Sequence, residues 1–422
     1  MNTMNIRTTI KETNNIVQDL VIIGGGFRTT TFLSSDPNLL KDKVMIIEQE
    51  TNIGPGAFKD YNILTSSSGT SMLKYLTFEG PFERLLMNHK VTAVSQNMKP
   101  VRAEKLASAL IEIGLTIEAE LGDNAIRRST SVEKIQLGIG NNPVSIYTNQ
   151  GDIVKAKHVL LATGRYERIN DELLNWNKKL MLSNTVIRHS KKEMLQNKLL
   201  TIGERPIVIA GSSHSAMSVL SCLLEIMKRL KDRDTRYIIP PIYVLQRSKA
   251  YLMYDNEEEA RKEQIMEREM IYDPLTDVCP DTGIVYRDSG LRHQSKELYC
   301  SLWSGEIKNV SIVNIKKLSD VANLLDQAGL VIQALGYFGN APDIFLCDRL
   351  IRPSNSLQRI EANEEGAAII NKKVFDNLSV LRLEPTPLLQ KDNMAYGSSL
   401  YHKLSSRIKR KINEAQELVG KL

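Results

Sequence analysis

Three consecutive glycines, Gly24-Gly25-Gly26, close the run Asp19-Leu20-Val21-Ile22-Ile23 and are followed by Phe27-Arg28-Thr29. The apolar run reads as a buried parallel strand entering a tight turn, with a helix starting behind it. Such a turn does one kind of chemistry. Gly24 permits the sharp reversal, Gly26 lets backbone N–H groups approach a pyrophosphate, and the helix N-terminus adds about half a positive charge. The spacing follows G-x-G-x-x-G in its first two glycines, and Thr29 stands in the third place. Glu48 closes a second apolar run, Val44-Met45-Ile46-Ile47, and lies 22 positions past Gly26. An acid there reaches an adenosine ribose, so strand, glycines and Glu48 together predict nucleotide binding.

The same logic recurs later in the chain. Pro206-Ile207-Val208-Ile209-Ala210 leads into Gly211-Ser212-Ser213-His214-Ser215-Ala216. Ser213 takes the place of a glycine, which narrows the backbone approach and offers a hydroxyl to phosphate. His214 reads as a turn-facing polar residue. A helix follows, with Ala216, Val219, Leu220, Leu223, Leu224, Met227 and Leu230 on one face. Arg247 ends the next strand, Ile242 to Arg247, at the position where a cation accommodates the 2′-phosphate of NADPH.

The elements between and after these turns must position them. A helix is expected over about Arg102 to Leu115, then a strand at Val144, a turn at Asn149-Gln150-Gly151-Asp152 and a strand at Ile153. These lead into His158-Val159-Leu160-Leu161-Ala162-Thr163-Gly164. The polar stretch from about Asn170 to Glu204 reads as a crossover, and Asp255 to Arg268 as a charged surface helix. Leu330-Val331-Ile332-Gln333-Ala334-Leu335-Gly336-Tyr337 is a further buried strand ending in Gly. The tail, with Leu378 to Leu383 before two prolines and a basic amphipathic helix, is expected to complete the first unit. Leu404, Ile408 and Ile412 share one face of that helix, so its run Arg407-Ile408-Lys409-Arg410-Lys411 reads as a solvated face.

Leu160 to Gly164 resembles the A-T-G element of two-dinucleotide flavoproteins, which implies cofactor-binding roles for Thr163 and Gly164. Gly211 to Ala216 resembles the G-x-G-x-S-A turn of NADPH-binding domains in flavin monooxygenases, bringing in Gly211, Ser212, Ser213 and Ser215. Ala334-Leu335-Gly336-Tyr337 and Thr70-Ser71-Met72-Leu73-Lys74-Tyr75-Leu76 are similar to the A-T-G-Y and T-S-F-L-K-D-L segments of the lysine and ornithine N-hydroxylating flavin monooxygenases. Leu335 replaces a Thr of that family and Gly69 a flavin-side Gln. The resemblance implies an α/β fold of two Rossmann-like dinucleotide-binding domains, the NAD(P)-binding one inserted in the FAD-binding one. On this reading residues 1–16 are a leader, 17–190 and 338–422 bind FAD through Gly24, Gly25, Gly26 and Glu48, and 200–337 bind NADPH. The implied activity is an FAD-dependent, NADPH-using monooxygenase that uses molecular oxygen on a small nucleophilic substrate such as an amine. Two alternatives stand beside it: an FAD/NAD(P)H oxidoreductase passing electrons to an organic acceptor, and a non-catalytic scaffold that keeps the FAD fold. The motifs assign no catalytic side chain.

Composition narrows the field further. The chain has 422 residues with 42% hydrophobic and 25% charged side chains, which suits two interleaved globular domains. A formal charge of +6 is too small to argue for a nucleic-acid partner. Cys222, Cys279, Cys300 and Cys347 are scattered, with no C-x-x-C and no histidines at metal-ligand spacing. This weighs against a disulfide framework, a zinc site and a dithiol relay. The polar N-terminus and the lack of a long apolar stretch predict a cytoplasmic protein with no membrane span.

Overall fold

The computed structural model describes residues 16–140, 142–265, 272–279, 282–287, 289–381 and 398–419. The leader, the end of the charged Asp255 to Arg268 segment and the prolines after Leu383 lie outside the described residues. Strands β1 (Val17–Ile23), β2 (Val44–Ile47), β3 (Leu64–Ser68), β4 (Pro100–Arg102), β5 (Ile126–Arg127), β6 (Val132–Leu137), β7 (Val144–Thr148), β8 (Ile153–Leu161) and β9 (Arg165–Tyr166) come first. The middle of the chain supplies β10 (Leu180–Leu182), β11 (Ile207–Ala210), β12 (Ile242–Gln246), β13 (Val310–Asn314) and β14 (Leu330–Gln333). The last segment adds β15 (Phe338–Gly339), β16 (Asp343–Leu346), β17 (Arg349–Ile351), β18 (Glu361–Ala362), β19 (Ala367–Ile370) and β20 (Lys373–Val380).

Two large sheets result, and the second is inserted in the first. The larger runs β17-β16-β6-β7-β8-β1-β2-β5, with β20 also paired to β8 and carrying β19 and β18. β1 lies parallel between β2 and β8, with Leu20 to Ile23 opposite both Val44 to Ile47 and His158 to Leu161. The last five residues of β1, all of β2 and the last four of β8 are buried, which is why Leu20 to Ile23, Val44 to Ile47 and Val159 to Leu161 read as unbroken apolar runs, while the first half of β8 alternates. β7 and β8 form the expected antiparallel hairpin. The helix predicted from Arg102 spans Ala103–Leu121 and seats Leu106, Leu110, Ile113 and Ile117 in the same core as Leu20 and Ile22.

The inserted sheet is parallel, in the order β10-β14-β11-β12-β13. The helix His214–Arg233 covers it with the predicted apolar face, Leu224 sitting at the edge of the core rather than inside it. β9 and β15, where the chain leaves and re-enters the first unit, pair with one another through Phe338 opposite Tyr166. The molecule is thus α/β with two Rossmann-like units, one inserted in the other.

Two expectations are corrected. The polar stretch from Asn170 to Glu204 is not a bare crossover: Leu180, Met181 and Leu182 pair with Val331, Ile332 and Gln333, and the helix Lys192–Ile202 buries Leu195, Leu199 and Ile202. Residues 180–190, assigned with the first segment, therefore include a strand of the second sheet. A three-residue strand amid lysines and asparagines leaves almost no apolar signal in the sequence. The basic run of the C-terminal helix, Ser398–Val419, is likewise more than a solvated face. Arg407 is 4% exposed and donates to the Asp376 carbonyl at 2.9 Å, while Lys409 pairs with Asp36 at 2.5 Å. Leu404, Ile408 and Ile412 are buried as predicted, so this helix clamps β20 and the helix after β1 from its apolar and its basic sides.

Candidate functional site: two matched glycine turns

The carboxyl end of β1 turns at Gly24, whose N–H donates to the Ile47 carbonyl at 2.9 Å. Gly24 has φ of +100°, and a Cβ there would run into the carbonyl of Ala162. A side chain is thus excluded twice, once by backbone conformation and once by space. That close approach brings the end of β8, and with it Thr163 and Gly164, beside the glycine turn. Asn340 Nδ2 donates to the Thr163 carbonyl at 3.2 Å, and Gly164 reverses the chain with φ of +70°. Gly24, Gly25, Gly26, Glu48, Thr163 and Gly164 therefore converge at the ends of three adjacent parallel strands.

Gly25 and Gly26 do different work. The Gly25 N–H donates to the Glu48 carboxylate, and a Cβ at Gly25 would lie 2.6 Å from Ile53 Cγ2. Gly26 is the N-cap of the helix Phe27–Ser35, and the nearest protein atom to a Cβ there would be Gly56 Cα at 3.6 Å. No side chain caps this helix. By contrast Ser68 and Asn88 cap the helices that follow them with their own side-chain oxygens. The bare N-terminus and the open face of Gly26 form a cradle that fits an anion. Arg28 adds a cation: its Nη1 donates to Tyr401 at 3.2 Å and its buried Nε has no hydrogen-bond partner. Thr29, in the third glycine position, is fully buried and folds its hydroxyl back onto the Gly24 carbonyl.

The second unit repeats the geometry of the turn, with Ser212 and Ser213 standing where the first has Gly25 and Gly26. The Gly211 N–H donates to the Leu245 carbonyl at 3.0 Å, φ is +123°, and a Cβ would strike the carbonyl of Ala334. Ala162 N–H donates to Ile23 in the first unit and Ala334 N–H to Ala210 in the second, both at 2.8 Å. Ser213 is the N-cap of the second helix and makes no side-chain cap bond, so its hydroxyl and the first N–H groups are free of a local partner. Ser212 is half-buried at the same turn. Arg247 stands exposed immediately after β12, as its sequence position requires. Neighbouring Gln246 is 2% exposed and spent internally, on Asn314 at 2.7 Å and Tyr299 at 2.9 Å. His214 reaches the Gly290 carbonyl at 3.1 Å, and burial holds its pKa below the usual range, which agrees with a structural role.

The Thr70 to Leu76 segment packs on the first core through Leu73 and Leu76, with the Lys74 ammonium 4.8 Å from the Tyr75 ring centre. Several contributors escaped the sequence reading. Gly56 faces Gly26, Ile53 backs Gly25, and Asn340 holds Thr163 from nearly two hundred residues away. The G-P-G spacing of Gly54 to Gly56 was the available signal, since both glycines have positive φ.

No family model matches the sequence, and no curated protein is significantly similar to it. The fold is that of the two-nucleotide-domain flavin monooxygenases. The chain superposes on the ornithine N-hydroxylase of Kutzneria sp. 744, solved with reduced FAD, NADP+ and L-ornithine, with a TM-score of 0.55 and 14% identity over 95% of this chain and 99% of that one. It matches the FAD-bound cadaverine monooxygenase of Erwinia amylovora with a TM-score of 0.58 and 12% identity over 94% and 95% of the two chains. A cyclohexanone monooxygenase matches with a TM-score of 0.54 and 12% identity over 94% of this chain and 86% of its own. Among the described residues no helix is long and apolar enough to cross a membrane.

Proposed function

We propose that this chain is an FAD-dependent monooxygenase that takes its electrons from NADPH and uses O₂ to oxygenate a small nucleophile, with amines the first class to test. The observation that carries this reading is the duplicated turn, an uncapped helix N-terminus at the carboxyl end of β1 and of β11, set in a fold shared with flavin monooxygenases. In the first unit the N–H groups after Gly26 would hold a pyrophosphate, Glu48 would meet the ribose, and Thr163 and Gly164 would close over the cofactor. In the second, Gly211, Ser212 and Ser213 would hold the NADPH pyrophosphate, with Arg247 on the 2′-phosphate. FAD held by these residues would supply the redox chemistry between the nicotinamide and oxygen. The protein's part is to orient the two nucleotides and exclude water.

Four cysteines without disulfide partners suit a cytoplasmic enzyme, and they leave no dithiol to relay electrons. The test is the absorbance spectrum of the purified protein, before and after NADPH is added in air. A flavin spectrum that bleaches and recovers supports the reading, and a colourless protein that takes up no added FAD refutes it.

A further inference from the structure

The helix Phe27–Ser35, behind the first glycine turn, and the C-terminal helix Ser398–Val419 run parallel and meet along matched faces. Arg28, Thr31, Phe32 and Asp36 recur at helical spacing on one, and Tyr401, Ser405 and Lys409 on the other. Tyr401 is 3% exposed and serves the start of the first helix. Arg28 Nη1 donates to its hydroxyl at 3.2 Å, Thr31 Oγ1 lies 3.0 Å from the same oxygen, and the Phe32 ring stands edge-on with centres 5.8 Å apart. Ser405 and Lys409 serve the other end, both bonding the Asp36 carboxylate. The C-terminal helix therefore grips the helix of the first turn at both of its ends.

Arg28 is an odd residue for its place. It is second in its helix, and helical side chains lean towards the N-terminus, so its guanidinium lies near the end where free N–H groups already set a positive potential. The first turn holds no acidic residue, and among the described residues no carboxylate is paired with Arg28. Its Nε is buried without a hydrogen-bond partner, and its Cζ lies 5.1 Å from the centre of the Phe27 ring. A half-buried cation with a donor unspent, at a positive helix end that no side chain caps, is an arrangement that an anion would stabilise.

We propose that Arg28 is a further binding residue for the flavin nucleotide, donating to a phosphate oxygen at the first turn, and that Tyr401 is the positioning residue that holds its guanidinium there. This rests on the function proposed above. Tyr401 stands 373 residues from Arg28 in the chain, so the C-terminal helix belongs to the cofactor site although no motif of the sequence points to it. Binding of the nucleotide and docking of this helix then reinforce one another, because each fixes the same guanidinium.

The test is the affinity for FAD of the full chain stripped of flavin, read by quenching of flavin fluorescence, together with the melting temperature of the same flavin-free protein. Arg28→Gln keeps an N–H for Tyr401 and removes the charge, so it should weaken FAD about tenfold or more. Its flavin-free melting should be unchanged or raised, because a cation has left a positive helix end. Arg28→Lys, which keeps the charge, should recover part of the affinity. Tyr401→Phe keeps the ring packing and should weaken FAD about threefold. In the Arg28→Gln background the same change should weaken FAD no further, since Tyr401 acts through Arg28. Hydrogen exchange over residues 401–412 should slow when FAD is added to the wild type, and slow less in Arg28→Gln at equal saturation. Wild-type affinity in Arg28→Gln, whether or not the flavin-free protein melts earlier, would make Arg28 a fastening for the C-terminal helix alone and overturn the proposal, with the turn at Gly26 left standing. Fully multiplicative losses in the double variant would overturn the role of Tyr401. If the wild type takes up no FAD, the function proposed above fails, and the role of Arg28 fails with it.

Discussion

The carboxylate of Glu48 accepts the backbone N–H of Gly25 from across the β1–β2 edge, and its other oxygen accepts the Glu50 N–H at 2.9 Å. The acid expected to meet a ribose therefore also builds the turn that would receive the pyrophosphate. Glu48→Ala should leave two N–H groups without their acceptor and cost about 1.5–3 kcal/mol of stability. It should also lower the fraction of flavin retained through purification. Urea unfolding and the flavin-to-protein absorbance ratio check both effects, and an unchanged ratio in a destabilised variant would remove Glu48 from the cofactor site.

The first and third positions of the turn separate folding from binding. Gly24→Ala meets the Ala162 carbonyl at a φ of +100°, and strain of this kind costs roughly 1–3 kcal/mol before the clash is counted. That variant should melt early or fail to accumulate. At Gly26 an added Cβ would have Gly56 Cα at 3.6 Å and Gly56 N at 4.0 Å as its nearest protein neighbours, ordinary contact distances, so Gly26→Val should fold with near-native melting and be colourless. Full flavin occupancy in Gly26→Val would show that the pyrophosphate does not lie there.

Arg247 decides between the two nicotinamide nucleotides if it reads the 2′-phosphate. A charge-assisted bond there is worth roughly 1.5–3 kcal/mol. Arg247→Ala should weaken half-saturation by NADPH about tenfold or more and leave NADH nearly unchanged. Equal losses for the two nucleotides would show that Arg247 plays another part.

His158, in the middle of β8, is fully buried with Nε2 2.9 Å from Ser379 Oγ. Burial first, and Arg407 next, hold its pKa down to about 3. In the unfolded chain the imidazole titrates near 6.5. Below that pH the unfolded state takes up a proton that the folded state refuses, so stability present above about pH 6.5 is lost progressively as pH falls towards 3. By pH 5 the loss should reach about 2 kcal/mol relative to pH 7.5, with His214 and His293 acting in the same direction. Urea unfolding at the two pH values measures it. His158→Gln should be less stable at pH 7.5 and lose less on acidification; an identical pH dependence would assign the effect elsewhere.

The three functional readings part company on how the reduced protein meets oxygen. A monooxygenase should be bleached by NADPH and recover in air, releasing hydrogen peroxide that declines as an accepted amine is supplied and oxygenated. A reductase should instead reduce an added quinone or dye and react slowly with O₂, and a scaffold should not be reduced. Changing all four cysteines to Ser should leave reduction by NADPH intact, although loss of buried Cys222, whose Sγ lies 3.2 Å from the Asn62 carbonyl, should lower stability. Rapid reduction with no oxygen reactivity across a panel of small amines would discard the monooxygenase and keep the two nucleotide sites.

The sequence by itself determined the parts whose physics is local. Leu20 to Ile23 and Ile207 to Ala210 are buried on both faces of parallel sheets, so they had to read as continuous apolar runs. Gly24 and Gly211 need positive φ, so they had to be glycine. The apolar stripes of the helices after Gly211 and at Leu404 to Ile412 carried the helical period, and the order of the motifs carried the insertion. What joins distant residues could be decided only by the tertiary structure. Leu180 to Leu182 is too short and its surroundings too polar to announce a strand until β14 pairs with it. Arg407 looks like any basic surface residue until the β20 backbone closes over it. Ser183 looks like one more serine of a polar stretch until the fold brings it to Glu167, whose carboxylate takes its proton at 2.6 Å. A hydroxyl's partner is set by which strands stand side by side, and that order is not written in local spacing.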